Sequence, residues 1–369
     1  MRLVSVLVFT LAGLGAGGCM TLHVRSIDAG FEGLRATMDR SHVVCMLLVH
    51  GMGGYSVGDP DIMIDALQKD LHLRPAGQPV TTSIPDGTQG IPGKLIRQDY
   101  VGEKGNMLRI YTLYWEPLTA GLKKKYLAFD DSPAVTKNRL PIENEIKQSI
   151  MNDTVPDVAL YGGNFRRTVQ RTVRVALKQM RTDLSGQKDY EYFFVSFSLG
   201  SKIIFDAVDG LEKDMEFQIG DDVVDRTASF FMLSNQYPLF ALSAVSPMTR
   251  PADASDENGY ETMLRFIQRK KERILARSSA QQAASALPMR LSIVSVNDPN
   301  DLLTYTIPAS IREEFPDTLI NVQMTVAKTA YLVPTYGYIV NPLTAHTGYG
   351  HDPDVIKLII DGAKATPKK

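Results

Sequence analysis

Ser198 closes an apolar, aromatic-rich run within the stretch Tyr192 to Ser201 (YFFVSFSLGS), with Ser196 two residues before it and Gly200 two residues after. A serine hydroxyl can be presented as a nucleophile at the tip of a sharp strand-to-helix turn, and that turn tolerates only small side chains two positions either side. A second stretch, His50-Gly51-Met52-Gly53-Gly54, follows another apolar run. Glycines there let the backbone turn tightly and approach a ligand, so that amide N–H groups can face a developing negative oxygen. The stretch is not a phosphate loop, because no GKS or GKT follows it and the GxGxxG spacing is absent. A hydroxyl nucleophile and amide donors suit attack on a carbonyl carbon, which also needs a base and an acid to orient it. Two later loops carry candidates: Asn297 to Leu303 offers Asp298 and Asp301, and Ala345 to His351 offers His346 and His351.

The elements that must hold these groups follow from hydrophobic period. Tyr190 to Val195 reads as a strand running into Ser198, and Lys202 to Val208 as the helix leaving it. Val43 to Val49 is continuously apolar, as a strand buried on both faces should be. Further strands are expected at Leu108 to Trp115, Ala228 to Leu233, Leu291 to Val296 and Asn321 to Ala327, with helices at Asp61 to Leu73, Phe165 to Met180 and Pro353 to Ile360. This alternation predicts an α/β class with a mostly parallel sheet. Residues 118–163 interrupt it with polar, proline-punctuated sequence and are the candidate cap insertion, since insertions at the carboxyl ends of strands commonly cover sites. Residues 249–288, polar and basic, are expected to form an exposed helical insertion, and Leu211 to Arg226 a charged connection. Trp115, at a strand's end, fits either a cleft wall or core packing.

HGMGG after a buried strand, followed by a strand and SFSLG, resembles the α/β-hydrolase superfamily, particularly its bacterial serine esterases and lipases. The resemblance implies an α/β-hydrolase fold, with a mostly parallel central sheet, helices on both faces and a helical cap insertion. It implies that Ser198 is the nucleophile, that the amides of Met52 and Leu199 form the oxyanion hole, and that an acid after Leu291 to Val296 and a base before the last helix complete a triad in the order Ser, Asp, His. Asp301 is preferred over Asp298 because Leu302 and Leu303 resemble the apolar residues that usually follow the family's acid. His346 is preferred over His351. Ser196 departs from the usual GxSxG pattern, in which a glycine stands first. The expected activity is carboxylic ester hydrolysis, with lipid esters as candidate substrates and with neither metal nor organic cofactor. Acyl transfer, thioester cleavage and an inactive scaffold with the same fold stay open at this stage.

Composition narrows the partners. At 369 residues with 44% hydrophobic residues the chain can bury a full core, and its formal net charge of -1 supplies no field to draw nucleic acid. Residues 1–19 combine Arg2, an apolar run and a tail of small residues, the pattern of an export signal. Ala16-Gly17-Gly18-Cys19 resembles a bacterial lipoprotein box, which implies lipidation of Cys19 and a mature α/β-hydrolase domain over 20–369. Met20 after it implies sorting to the outer membrane, facing the periplasm. The second cysteine, Cys45, lies inside an apolar strand and reads as a packing residue. The oligomeric state is not legible.

Overall fold

The structure, a computed structural model, describes residues 19–55, 59–85, 93–213, 216–242, 259–278, 288, 290–333 and 337–366. In chain order the elements used below are β1 (Cys19–Thr21), β2 (Arg25–Ile27), α1 (Leu34–Arg40), β3 (Val43–Val49), α2 (Asp59–Asp70), β4 (Val80–Ile84), β5 (Gly93–Val101) and β6 (Met107–Tyr114). Next come α3 (Pro117–Leu127), α4 (Val155–Gly162), α5 (Arg166–Asp183), β7 (Tyr190–Phe197), α6 (Gly200–Lys213), α7 (Phe217–Arg226), β8 (Thr227–Leu233) and α8 (Glu261–Ser278). The rest are β9 (Ser292–Asn297), β10 (Leu319–Met324), β11 (Thr329–Val333), β12 (Gly337–Val340), α9 (Pro342–Thr347) and α10 (Pro353–Asp361).

The main sheet runs β2-β10-β9-β8-β7-β3-β6-β5. Its middle, from β10 to β6, is parallel, while β2 and β5 join antiparallel at the flanks. This is the expected α/β architecture, a mostly parallel central sheet with helices on both faces. The central strand β3 shows why: Val43, Cys45, Leu47 and Val49 enter the apolar layer on one face, and Val44, Met46 and Leu48 the layer on the other. One layer is closed by α5, α6, α7 and α8, the other by α1, α2 and α10. Each fully buried aliphatic side chain is worth about 1.5–3 kcal/mol relative to exposure, so β3 binds both layers to the sheet. Cys45 is wholly buried and its thiol is pushed far up by desolvation, as suits a packing residue.

From β3 the chain proceeds to β6 on one side, then crosses to β7 on the other. The loops leaving β3 and β7 therefore part at a topological switch point, where open α/β sheets form a crevice at the carboxyl ends of their strands.

One segment that sequence leaves unplaced forms a strand, and two others differ from expectation. The stretch from Gly93, which shows no clear period in sequence, is strand β5, paired antiparallel with β6. Leu211 to Arg226 is not merely a connection: α7 buries Val223 and Val224, and its Asp222 accepts the hydroxyls of Tyr190 and Tyr192 at 2.6 and 2.8 Å. Residues 261–278, expected within an exposed insertion, form α8, which buries Met263, Phe266 and Ile267. Arg265, Arg269, Lys270, Lys271 and Arg273 mask that apolar stripe in sequence. Lys270 is itself buried, and its ammonium donates to the carbonyl of Asp225 at 2.6 Å. Residues 249–258, 279–287 and 289, and the signal-like residues 1–18, lie outside the described residues.

Candidate active site

Strands β7 and β8 lie in parallel register with Phe197 opposite Leu233, and each passes into a serine one residue later. Ser198 has φ 51° and Ser234 φ 54°, both in the left-handed region that costs an L-residue roughly 1–2 kcal/mol. The turns are held by ladder bonds continued one step: Ser198 N donates to the Leu233 carbonyl at 2.8 Å, and Ser234 N to the Val296 carbonyl at 3.0 Å. Close packing at the first turn explains the small residues. A Cβ on Gly51 would lie 2.5 Å from Ser198 Cβ, and one on Gly200 would lie 2.6 Å from the Val49 carbonyl oxygen. Ser196, the departure from GxSxG, is buried in β7 and donates its hydroxyl to the Phe231 carbonyl at 3.0 Å. That bond satisfies a polar group which would otherwise be costly to bury.

Ser198 Oγ is buried and has no hydrogen-bond partner among the described residues. It faces a cavity of about 50 Å³, shared with Met52, Tyr55, Phe197, Ser234 and His346. His346 comes from α9, whose start is capped by the Asn341 side chain accepting from the amides of Leu343 and Thr344. Its Nδ1 lies 3.0 Å from both carboxylate oxygens of Asp301. With Nδ1 so engaged, Nε2 is the ring nitrogen left to exchange a proton, although no Ser198–His346 hydrogen bond is formed here. Catalytic hydrogen bonds are often open in unliganded sites and tighten on substrate.

Asp301 also accepts from the amide of Leu303 at 2.9 Å and from the Tyr349 hydroxyl at 3.3 Å. Asp298 has other partners: its oxygens accept from the amides of Val326, Ala327 and Asn300, at 2.7, 3.0 and 2.8 Å. It stitches the turn to the end of β10. The loop is pinned further by Asn235, whose side-chain amide donates to the Tyr305 carbonyl at 2.9 Å. His351 stands outside the cavity, just before Asp352, which caps α10.

Sequence reasoning reaches Ser234 only as a strand-end residue facing the cleft, with no part in the chemistry. Its hydroxyl donates to Asp301 Oδ2 at 2.9 Å and lies 2.8 Å from His346 Nδ1, so it bonds both residues. The available signal was positional: Ser234 ends β8 as Ser198 ends β7.

The HGMGG loop is shaped from two sides. His50 is buried, its Nε2 accepts from the amides of Trp115 and Glu116 at 3.0 and 3.3 Å, and its ring stacks on Trp115 at 4.9 Å. Since Nε2 is an acceptor, Nδ1 carries the proton and donates to the Gly51 carbonyl at 2.8 Å. Burial drives the His50 pKa down to about 3, assisted by the nearby Lys123 charge. Trp115 is thus a core residue, and its indole N–H donates to the His50 carbonyl at 3.0 Å.

From the other side the 118–163 segment packs down. Asp157 of α4 accepts the Gly53 amide at 2.7 Å, and Lys123 of α3 reaches Asp157, Asp153 and Glu116. Burial opposes the charge of Lys123, but the three carboxylates outweigh it and hold the ammonium above its ordinary range. Gly53 and Gly54 take φ 70° and 90°, and Met52 beside them lines the same cavity as Ser198. Neither the Met52 nor the Leu199 amide donates to an acceptor among the described residues. No group of three His, Cys, Asp or Glu among the described residues is placed to hold a metal ion.

No protein-family model and no curated protein matches the chain. Among solved structures, the NocB thioesterase domain in covalent complex with a fluorophosphonate nocardicin G analog is similar at 12% identity and a TM-score of 0.26, over 76% of this chain and 82% of that one. A likeness this slight carries no conclusion about the site.

Proposed function

We propose that the protein is a serine hydrolase that cleaves carboxylic esters. The observation carrying this reading is the shared cavity: Ser198, strained into the left-handed region with an unpartnered hydroxyl, opens onto the same space as His346, whose far nitrogen is held by Asp301. Ser198 Oγ attacks the ester carbonyl carbon while His346 takes its proton, and Asp301 steadies the imidazolium. The amides of Met52 and Leu199 hold the oxyanion. Collapse expels the alcohol, protonated by His346, and leaves an acyl-Ser198. A water molecule, deprotonated by His346, attacks the acyl carbon, and release of the carboxylic acid restores Ser198. Ser234 acts as a positioning residue through His346 and Asp301, and the 118–163 segment as the cap over the oxyanion loop.

The same proposal anchors the protein to the outer membrane, facing the periplasm, through lipid on Cys19, which makes lipid esters the candidate natural substrates. Its support is the export-signal pattern of residues 1–19. Hydrolysis of p-nitrophenyl esters from acetate to laurate tests the chemistry. Ser198→Ala and His346→Ala should each lower kcat by about three orders of magnitude or more, and the double variant should be no worse than either single one. A single variant that kept a tenth of the wild-type rate would remove that residue from the mechanism.

A further inference from the structure

Between Lys328 and His346 the chain contains no Asp, Glu, Lys or Arg. This stretch forms β11 and β12; β11 lies between β1 and β12 in a three-stranded antiparallel sheet apart from the main one. One end of the small sheet is anchored, with Ala330 and Val340 buried against Ala345. The other end is apolar and wet. Tyr338 is 51% exposed, and its cross-strand partner Leu332 is 38% exposed. Tyr331, on the opposite face of β11 from Leu332, is exposed as well, as are Met20, paired with the buried Ala330, and Leu343 at the start of α9. Isolated exposed apolar residues are ordinary, but a run of them on neighbouring strands with no charge among them marks a contact surface.

The register identifies what it contacts. Cys19 is the first residue of β1 and pairs directly with Tyr331, while Met20 pairs with Ala330. Neighbouring strands lie about 4.8 Å apart, so no linker separates Cys19 from this sheet. A lipid on Cys19 would hold β1, β11 and β12 at the bilayer surface. Tyrosines with apolar bodies and polar tips suit the headgroup boundary, and an uncharged hairpin enters it at little cost. We propose that the β11–β12 hairpin is a membrane-seating element that dips into the lipid interface beside the Cys19 anchor. The proposal rests on lipidation of Cys19, not on the hydrolytic chemistry. It has a consequence for the site: β12 leads through Asn341 into α9, which carries His346, so the seated hairpin directly precedes the element that holds the candidate base.

The test uses the full lipidated protein in vesicles of phosphatidylethanolamine and phosphatidylglycerol. Tyr338→Cys and Leu343→Cys each receive an environment-sensitive fluorophore, and Lys104→Cys, in the exposed turn between β5 and β6, serves as the reference. Cys45 is buried and stays unlabelled under native conditions. The expected result is a blue shift at 338 and 343, at least threefold stronger quenching there than at 104 by lipids carrying a quencher near the headgroup, and the same pattern in a Ser198→Ala background. Labels at 338 and 343 as water-exposed as that at 104 would overturn the proposal. So would protection that appears without vesicles and grows with protein concentration, which would make the hairpin a contact between copies of this chain. Absence of lipid on the Cys19 peptide by mass spectrometry would overturn it too, while leaving ester hydrolysis intact.

Discussion

Two serines one strand apart occupy the same unusual backbone region, yet their hydroxyls are treated differently. Ser198 Oγ has no partner among the described residues, whereas Ser234 Oγ is fixed between Asp301 and His346. Strain of this kind persists only where the surroundings over-determine it, and here strand register and ladder bonds do so. If Ser234 positions the imidazole, Ser234→Ala should lower kcat about tenfold, the worth of one hydrogen bond, with KM unchanged. The acid limb of the kcat/KM pH profile should move as well, which a purely packing role would not cause. Unchanged kcat and limb would make Ser234 a structural residue. The sequence points to Ser198 through its small neighbours, but Ser234 carries no such mark, because its partners lie 67 and 112 residues further along the chain.

At the scale of elements, the HGMGG loop is set by whatever ties β3 to β6 and to the 118–163 segment. His50 makes the first tie as a neutral ring, accepting two amides at the start of α3. Its pKa is lowered from 6.5 to about 3, so between those values the unfolded chain binds a proton that the folded chain refuses. The contribution of His50 is therefore fully present above about pH 6.5 and is lost as pH falls towards 3, by roughly 4–5 kcal/mol in all. Chemical denaturation of wild type and His50→Asn across pH 3–8 should show a flatter curve for the variant. Parallel curves would mean that His50 is not the group responsible. Asp157 makes the second tie, to the Gly53 amide, and it was not legible: a lone aspartate in a polar, proline-punctuated stretch looks like any solvated residue. The basic run of α8 misled for the related reason that charged neighbours concealed the apolar stripe of Met263, Phe266 and Ile267.

For the whole molecule, the parallel sheet was readable because strands buried on both faces leave continuous apolar runs, as at Val43–Val49 and Thr227–Leu233. The antiparallel β5 and the small sheet of β1, β11 and β12 were not, since half-exposed strands mix residue types. The placement of the cavity agrees with the topology, as it opens at the carboxyl ends of β3, β7 and β8, where the crossover direction changes. A much larger cavity, about 820 Å³, lies at the opposite ends of these strands, beside Arg40, Glu191 and Ser229. There Glu191 is already committed to Arg40 and to the Ser41 hydroxyl, so size alone is a poor guide to chemistry in this fold. The 50 Å³ cavity has room for little more than a water molecule or two, so under the proposed function its walls must open before an acyl chain can enter.

The central claim is that Ser198 is the nucleophile, and covalent labelling reads it most directly. The protein is treated with a fluorophosphonate, digested and mapped by mass spectrometry, alongside Ser198→Ala. The expected result is one equivalent of phosphonate on the peptide that contains Ser198 and none on the variant. Label on Ser234 or another serine, equal labelling of both proteins, or no labelling of the wild type would contradict it.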